Sequence, residues 1–267
     1  MAKLIGEFQF EGSIGNLSAY KRKDSDKIIL RTKGGPSKRR IKTAPEFAVV
    51  RLYNLEWNGC AKMSAGIRNA TNGIRRLSDY NTSTKLNTLN KILQKTDNEH
   101  PLGERALYLS QNKEMLVGFN LNKNTLLDSV FSARVKVAID RDAMGLTLHI
   151  PKLIPDVNIK QYGRNSYYRL IVTLGVVSDM VCEVENKNYV PLHNAMHGVC
   201  NTFLTNWHAV HQEAPEQTIM HSLVYSEKLT DNESLVVGFG IEYGNPLSDT
   251  VISLTKNAGF AKIIAVE

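Results

Sequence analysis

Apolar and polar positions along the first thirty residues fall into short runs separated by turn residues. LIGEFQF, with Ile5, Phe8 and Phe10 as its bulky members, reads as a strand; EGSIGN supplies two glycines for a turn, and NLSAYKR and KIILRTK form a second and third run around the turn KDSD. The pattern predicts a small antiparallel meander. GGPS at 34–37 then breaks the chain, and Thr43, Pro45 and Glu46 carry the signature of a capping box opening a long helix. Cys60, Met63, Ile67, Ala70, Ile74 and Leu77 recur at spacings of three and four, which extends that helix to about Asp79 with one buried face. A second helix is expected over 83–95, with Leu86, Leu89 and Leu93 on one face.

On the long helix Gly59, Gly66 and Gly73 stand at intervals of seven. Each costs ~1 kcal/mol relative to alanine in a helix interior, so a stripe of three predicts close helix packing against another backbone, of this chain or of a second copy. The bland alternative is accidental glycine with local kinking.

Beyond the loop NEHPLGE, strand signals dominate. Val135, Val137 and Ile139 alternate with charged residues, RDAMG turns, and Leu146, Leu148 and Ile150 alternate in return, which predicts a hairpin. YYRLIVTLGVV, VCEVENKNYV, LVVGFGIEYG, DTVISLT and GFAKIIAVE read as further strands. Turn signals recur without β–α alternation. The expected fold is therefore mainly β with an N-terminal helical segment (α+β). An immunoglobulin-like antiparallel β-sandwich body follows a β-meander and a long helix. The expected domains are 1–45 (meander and basic arm), 46–100 (helical) and 101–267 (sandwich).

Charge changes this picture at one place. The 267 residues carry a net +7, but residues 21–42 alone hold Lys21, Arg22, Lys23, Lys27, Arg31, Lys33, Lys38, Arg39, Arg40 and Lys42 against Asp24 and Asp26. A near-neutral body thus bears a basic N-terminal segment. Cations at the far end of a meander keep its edges soluble, which is the plainest explanation. The functional ones are contact with a neighbouring subunit or with a polyanion such as nucleic acid. Only Tyr20 lies among the cations, so base stacking has little support, and no nucleic-acid-binding signature occurs. Three cysteines, Cys60, Cys182 and Cys200, make no disulfide framework. No apolar run approaches the ~20 residues of a membrane span, and the amino terminus does not read as a secretory signal. The expected location is the cytoplasm, or a virion or extracellular particle reached without a cleaved signal.

Catalytic signatures are sparse. His193, His197 and Cys200 in HNAMHGVC offer imidazole and thiolate, but their spacing matches no zinc pattern and no glutamate lies between the histidines to act as a base. Satisfied or surface histidines are the favoured reading, with these three only weak metal candidates. No P-loop or nucleophile elbow occurs, and GFGIEYG lies within a strand, where a dinucleotide fingerprint does not belong. No cofactor and no catalytic residue is expected.

GSIGNLSAYKR…IILRTKGG at 12–35 resembles the opening of a group of uncharacterised proteins common in Bacteroidota and their mobile elements. IDRDAMGLTLHIPKLIP and VVGFGIEYGNPLSDTVISLTKNAGFAKIIAV resemble later stretches of the same group, so that about a third of the chain is covered. The resemblance implies a mainly β protein with an N-terminal hairpin-plus-helix module and carries over no catalytic residue. The leading expectation is a non-enzymatic self-assembling subunit of a filament, virion or tail-like particle, with copies of itself as partners. Its contacts would be Lys21, Arg22, Lys23, Arg31, Lys33, Lys38, Arg39, Arg40, Lys42 and the glycine stripe. Nucleic-acid binding through 21–42 is the alternative, and a zinc-dependent enzyme a distant third.

Overall fold

The structure, a computed structural model, describes residues 2–4, 10–21, 27–225, 228–248 and 250–267. Most of LIGEFQF and the KDSD turn lie outside the described residues, as do Arg22 and Lys23. The chain divides into two compact units, Met1–Arg51 and Leu52–Glu267.

In the first unit β1 (Ala2–Leu4), β2 (Gly12–Ile14), β3 (Leu17–Lys21) and β4 (Ile28–Thr32) form an antiparallel sheet in the order β1-β4-β3-β2. Gly15, at φ 54°, takes the left-handed position of the two-residue β2–β3 turn. Helix α1 (Lys38–Thr43) follows, with the Ser37 hydroxyl accepting the Arg40 N–H as its N-cap. The expected capping box does not form. Pro45 holds Ala44 extended (ψ 139°) and ends α1 there, so Thr43 is a last-turn residue whose hydroxyl donates to the Arg39 carbonyl. Glu46 meanwhile accepts from the Arg40 guanidinium instead of capping a backbone N–H.

Helix α2 (Ala48–Ala70) follows a short 3₁₀ turn at Pro45–Phe47. It stops nine residues short of the expected Asp79. Thr71 leaves helical geometry (φ −119°, ψ 25°), its hydroxyl donates back to the Ile67 carbonyl, and α3 (Asn72–Arg75) follows as a separate short helix. Helix α4 (Ser83–Gln94) lies where the leucine spacing places it, and α5 (Leu127–Val130) is a single turn.

The strands are β5 (Lys136–Asp140), β6 (Gly145–Ile150), β7 (Tyr167–Ser178), β8 (Met180–Glu183), β9 (Asn188–Pro191), β10 (Cys200–Leu204), β11 (His208–Ala209), β12 (Gln217–Ser222), β13 (Glu233–Pro246) and β14 (Ile252–Val266). The central antiparallel sheet runs β10-β7-β13-β14, with β11 beside β10 on the same edge of β7. A second sheet, β12-β6-β5, contains the expected hairpin, and β8-β9 is a separate ribbon.

The second unit is layered as a sandwich with a helical cover. Leu170, Val172 and Leu174 of β7 and Val237, Phe239 and Ile241 of β13 pack with Leu146, Leu148 and Ile219 of the smaller sheet. The opposite faces of the same strands carry Ile171, Val177 and Val236, which pack with Met63, Ile67 and Ile74 of the helices and Leu77 just beyond α3. β7 and β13 are covered on both faces, which is why they read as nearly unbroken apolar runs rather than alternating ones. The helical layer is what distinguishes this body from a two-sheet immunoglobulin sandwich.

Candidate functional site

In the first unit residues 31–40 are exposed throughout, as is Lys42, and α1 buries no residue. Arg31, Lys33, Lys38, Arg39, Arg40 and Lys42 therefore present their charge to solvent. Lys33 donates to the Gly15 carbonyl at 3.1 Å and Arg31 lies over the Tyr20 ring at 5.4 Å, so two of the cations brace the β2–β3 turn region. Arg51 donates to the carbonyls of Ile41 and Ala44, which ties down the end of α1. Lys21 and Lys27 are engaged in interactions of their own.

The glycine stripe is occupied by side chains of this chain. A Cβ on Gly59 would lie 2.6 Å from the Tyr189 ring, one on Gly66 2.1 Å from Nε2 of His197, and one on Gly73 2.2 Å from Oγ1 of Thr202. The neighbours are thus three side chains from β9, the 192–199 turn and β10, where the sequence led us to expect a backbone. The main-chain approach lies one layer away, where a Cβ on Gly175 would stand 2.1 Å from the Ala70 carbonyl oxygen.

His193, His197 and Cys200 lie in a turn-rich segment entering β10, not on a helix. The Nδ1 of His197 accepts the Ser178 N–H, and burial pushes its pKa down. The half-exposed His193 ring lies 3.7 Å from the buried Glu233 carboxylate, and the Cys200 thiol faces the Asn201 carbonyl. Among the described residues no three His, Cys, Asp or Glu side chains gather as a metal ion would require. His208 and His221 sit beside Tyr168 and Phe203, and burial lowers the pKa of each.

Several buried acids hold the fold. Glu56 receives Arg105, Lys91 and the Gly103 N–H. Burial alone would raise its pKa, but these donors together hold it below the ordinary carboxylate range. Asp179 accepts from Ser110, yet burial prevails and its pKa is raised.

One polar constellation was missed from sequence. Gly238, Gly240 and Glu242 share the helix-facing side of β13. The glycines make room for Ile74 and Leu77, and Glu242 follows where the helical cover ends. It is 2 % exposed. Its Oε1 accepts from Nε of Arg169, its partner across β7, at 2.5 Å, and Trp207 stacks on that guanidinium at 4.6 Å. Arg76, at the end of α3, makes a close ion pair with Oε2, so that both carboxylate oxygens face a guanidinium. A cavity of about 590 Å³ opens here, walled by the 76–79 turn, residues 122–125 and β14. Opposite the single residue Tyr243, β14 runs through four (255–258), with Asn257 left-handed at φ 57°. Bulges of this kind re-aim side chains beside sites. The signal available in sequence was a glutamate on the glycine side of an otherwise apolar strand.

No family model, no curated protein and no solved structure matches the chain. Among the described residues no helix is long and apolar enough to cross a membrane.

Proposed function

We propose that the chain is a non-enzymatic subunit that assembles with copies of itself through its N-terminal unit. The observation that carries this reading is how little the described residues of that unit bury. Among its described residues the buried apolar side chains are Ala19 and Ile28, while Ile14 and Leu17 are 61 % and 37 % exposed. A small sheet gains independent stability from an apolar face packed on something, and two small-to-medium side chains supply little of it. A second copy completes the face, and the exposed cations of 31–42 set its register against acidic surface. The resemblance to proteins of Bacteroidota mobile elements accords with a repeated component of a particle or filament. The glycine stripe, filled by Tyr189, His197 and Thr202, has no part in the contact.

Sedimentation velocity over a range of concentrations tests the proposal. Species larger than a monomer are expected for the full chain, with loss of those species on deletion of residues 1–42 and weakening by Arg39→Glu with Arg40→Glu. A monomer at every concentration defeats it.

A second reading rests on one further observation: residues 27–45 contain seven cations and no acid. Such a segment suits phosphate, with affinity falling steeply as salt rises. Fluorescence anisotropy with single- and double-stranded oligonucleotides at low salt decides it, and an unchanged signal removes it.

A further inference from the structure

We propose that β5 is a docking edge for β5 of a second copy, the two strands pairing antiparallel about a two-fold axis at Ala138. Among the described residues no strand lies on the side of β5 away from β6. The strand is also poorly covered. Val137 and Ile139 on its inward face, and Val135 just before it, are only half-buried, whereas Leu146, Leu148 and Ile150 on the neighbouring β6 are at most 2 % exposed. A cleft of about 450 Å³ lies beside β5, walled by Leu127, Phe131, Val135, Val137, Phe239 and Ile264. The sandwich is open along this edge, and an unpaired edge over an apolar opening is a template for a further strand.

The sequence of β5 selects the occupant. In KVAID, Lys136 and Asp140 stand two residues either side of Ala138 and are exposed with it on the outer face. An antiparallel copy centred on Ala138 sets Lys136 opposite Asp140 of the second copy, and the symmetry repeats that pair. On the inward face the same register sets Val137 opposite Ile139 in both directions, a β-branched pair that covers the cleft. The small Ala138 side chains meet at the axis. Beyond the strand, Arg134 comes level with Asp142 in the following turn, both of them exposed. A parallel copy in the same register would set lysine beside lysine and aspartate beside aspartate, which is unfavourable. Charges that guard an edge repel a second copy, but opposite charges placed symmetrically about one residue attract it. The contact lies in the second unit and needs neither reading given above.

Oxidative cross-linking of the full chain tests this. Residues directly opposite on antiparallel strands have Cα atoms ~4.5–5.5 Å apart, within disulfide reach. Ala138→Cys should therefore give a covalent dimer on mild oxidation, above the background set by the three native cysteines. In this register Lys136 lies about 14 Å from its own copy, as does Asp140. Lys136→Cys and Asp140→Cys should each stay at background alone, and an equal mixture of the two should cross-link. Lys136→Asp, which sets aspartate against aspartate twice, should lower the yield from Ala138→Cys about tenfold. Arg39→Glu with Arg40→Glu, which weakens the N-terminal contact, should leave that yield unchanged, so the two proposals fail separately. No dimer from Ala138→Cys, equal dimer from Lys136→Cys alone, or a yield insensitive to Lys136→Asp overturns the proposal.

Discussion

Gly175 and Ala70 meet main chain to main chain: a Cβ on the glycine would stand 2.1 Å from the alanine's carbonyl oxygen. The last turn of α2 rests on the sheet at this point, and neither backbone can withdraw without breaking helix or strand bonds. Gly175→Ala should destabilise the chain by about 3 kcal/mol, at the upper end of overpacking costs. Thermal melts followed by circular dichroism should show a fall of roughly 6–12 °C. A fall within error would mean that the two elements are further apart than described.

At Gly66 the obstacle is a side chain, and the outcome differs. His197 occupies the space a methyl would need, and its Nδ1 is engaged with the Ser178 N–H, which limits how far the ring can retreat. Gly66→Ala alone should cost about 1–3 kcal/mol. Combined with His197→Ala it should cost less than the sum of the two single changes. Urea titrations of the four proteins of this cycle check the coupling.

Glu242 and Arg169 form a cross-strand pair under cover of Trp207. Glu242→Leu leaves a guanidinium that is 19 % exposed without its carboxylate, and a loss of about 3–5 kcal/mol is expected. Adding Arg169→Met removes the stranded charge and should restore most of that loss. If the double variant is no more stable than Glu242→Leu, the pair is not the source of the effect.

Burial holds His197, His208 and His221 below their ordinary pKa in the folded chain. In the unfolded chain each takes up its proton near pH ~6.5. Between the folded and unfolded values the unfolded state binds more protons, so stability drops as pH falls through that window. Chemical denaturation at pH 7.5, 6.5 and 5.5 should show the midpoint moving down. His197→Gln, which removes one of the three groups, should flatten the slope. A midpoint that rises on acidification would contradict the burial of these rings.

Much of the framework was legible in the chain itself. Val135, Val137 and Ile139 alternate because β5 has one covered face, and the leucines of α4 recur because that helix has one buried side. Local rules failed where two signals competed. Thr43 and Glu46 satisfy the spacing of a capping box, yet Pro45 breaks the helix between them and Ser37 caps the preceding one. The glycine stripe declares close contact but not its partner, since Tyr189, His197 and Thr202 come from more than a hundred residues downstream. The Glu242 cavity was the least legible. It depends on the pairing of β13 with β7, 73 positions apart, and on a bulge in a third strand.

That bulge has a consequence for how the molecule can change. Pairing between β13 and β14 resumes directly on both sides of residues 255–258: Glu242 meets Gly259, and Gly244 meets Leu254. Residues can therefore be inserted, deleted or exchanged in the detour while the flanking ladder keeps its alignment. Natural variation, or a designer, could reshape the cleft and leave the scaffold around it intact.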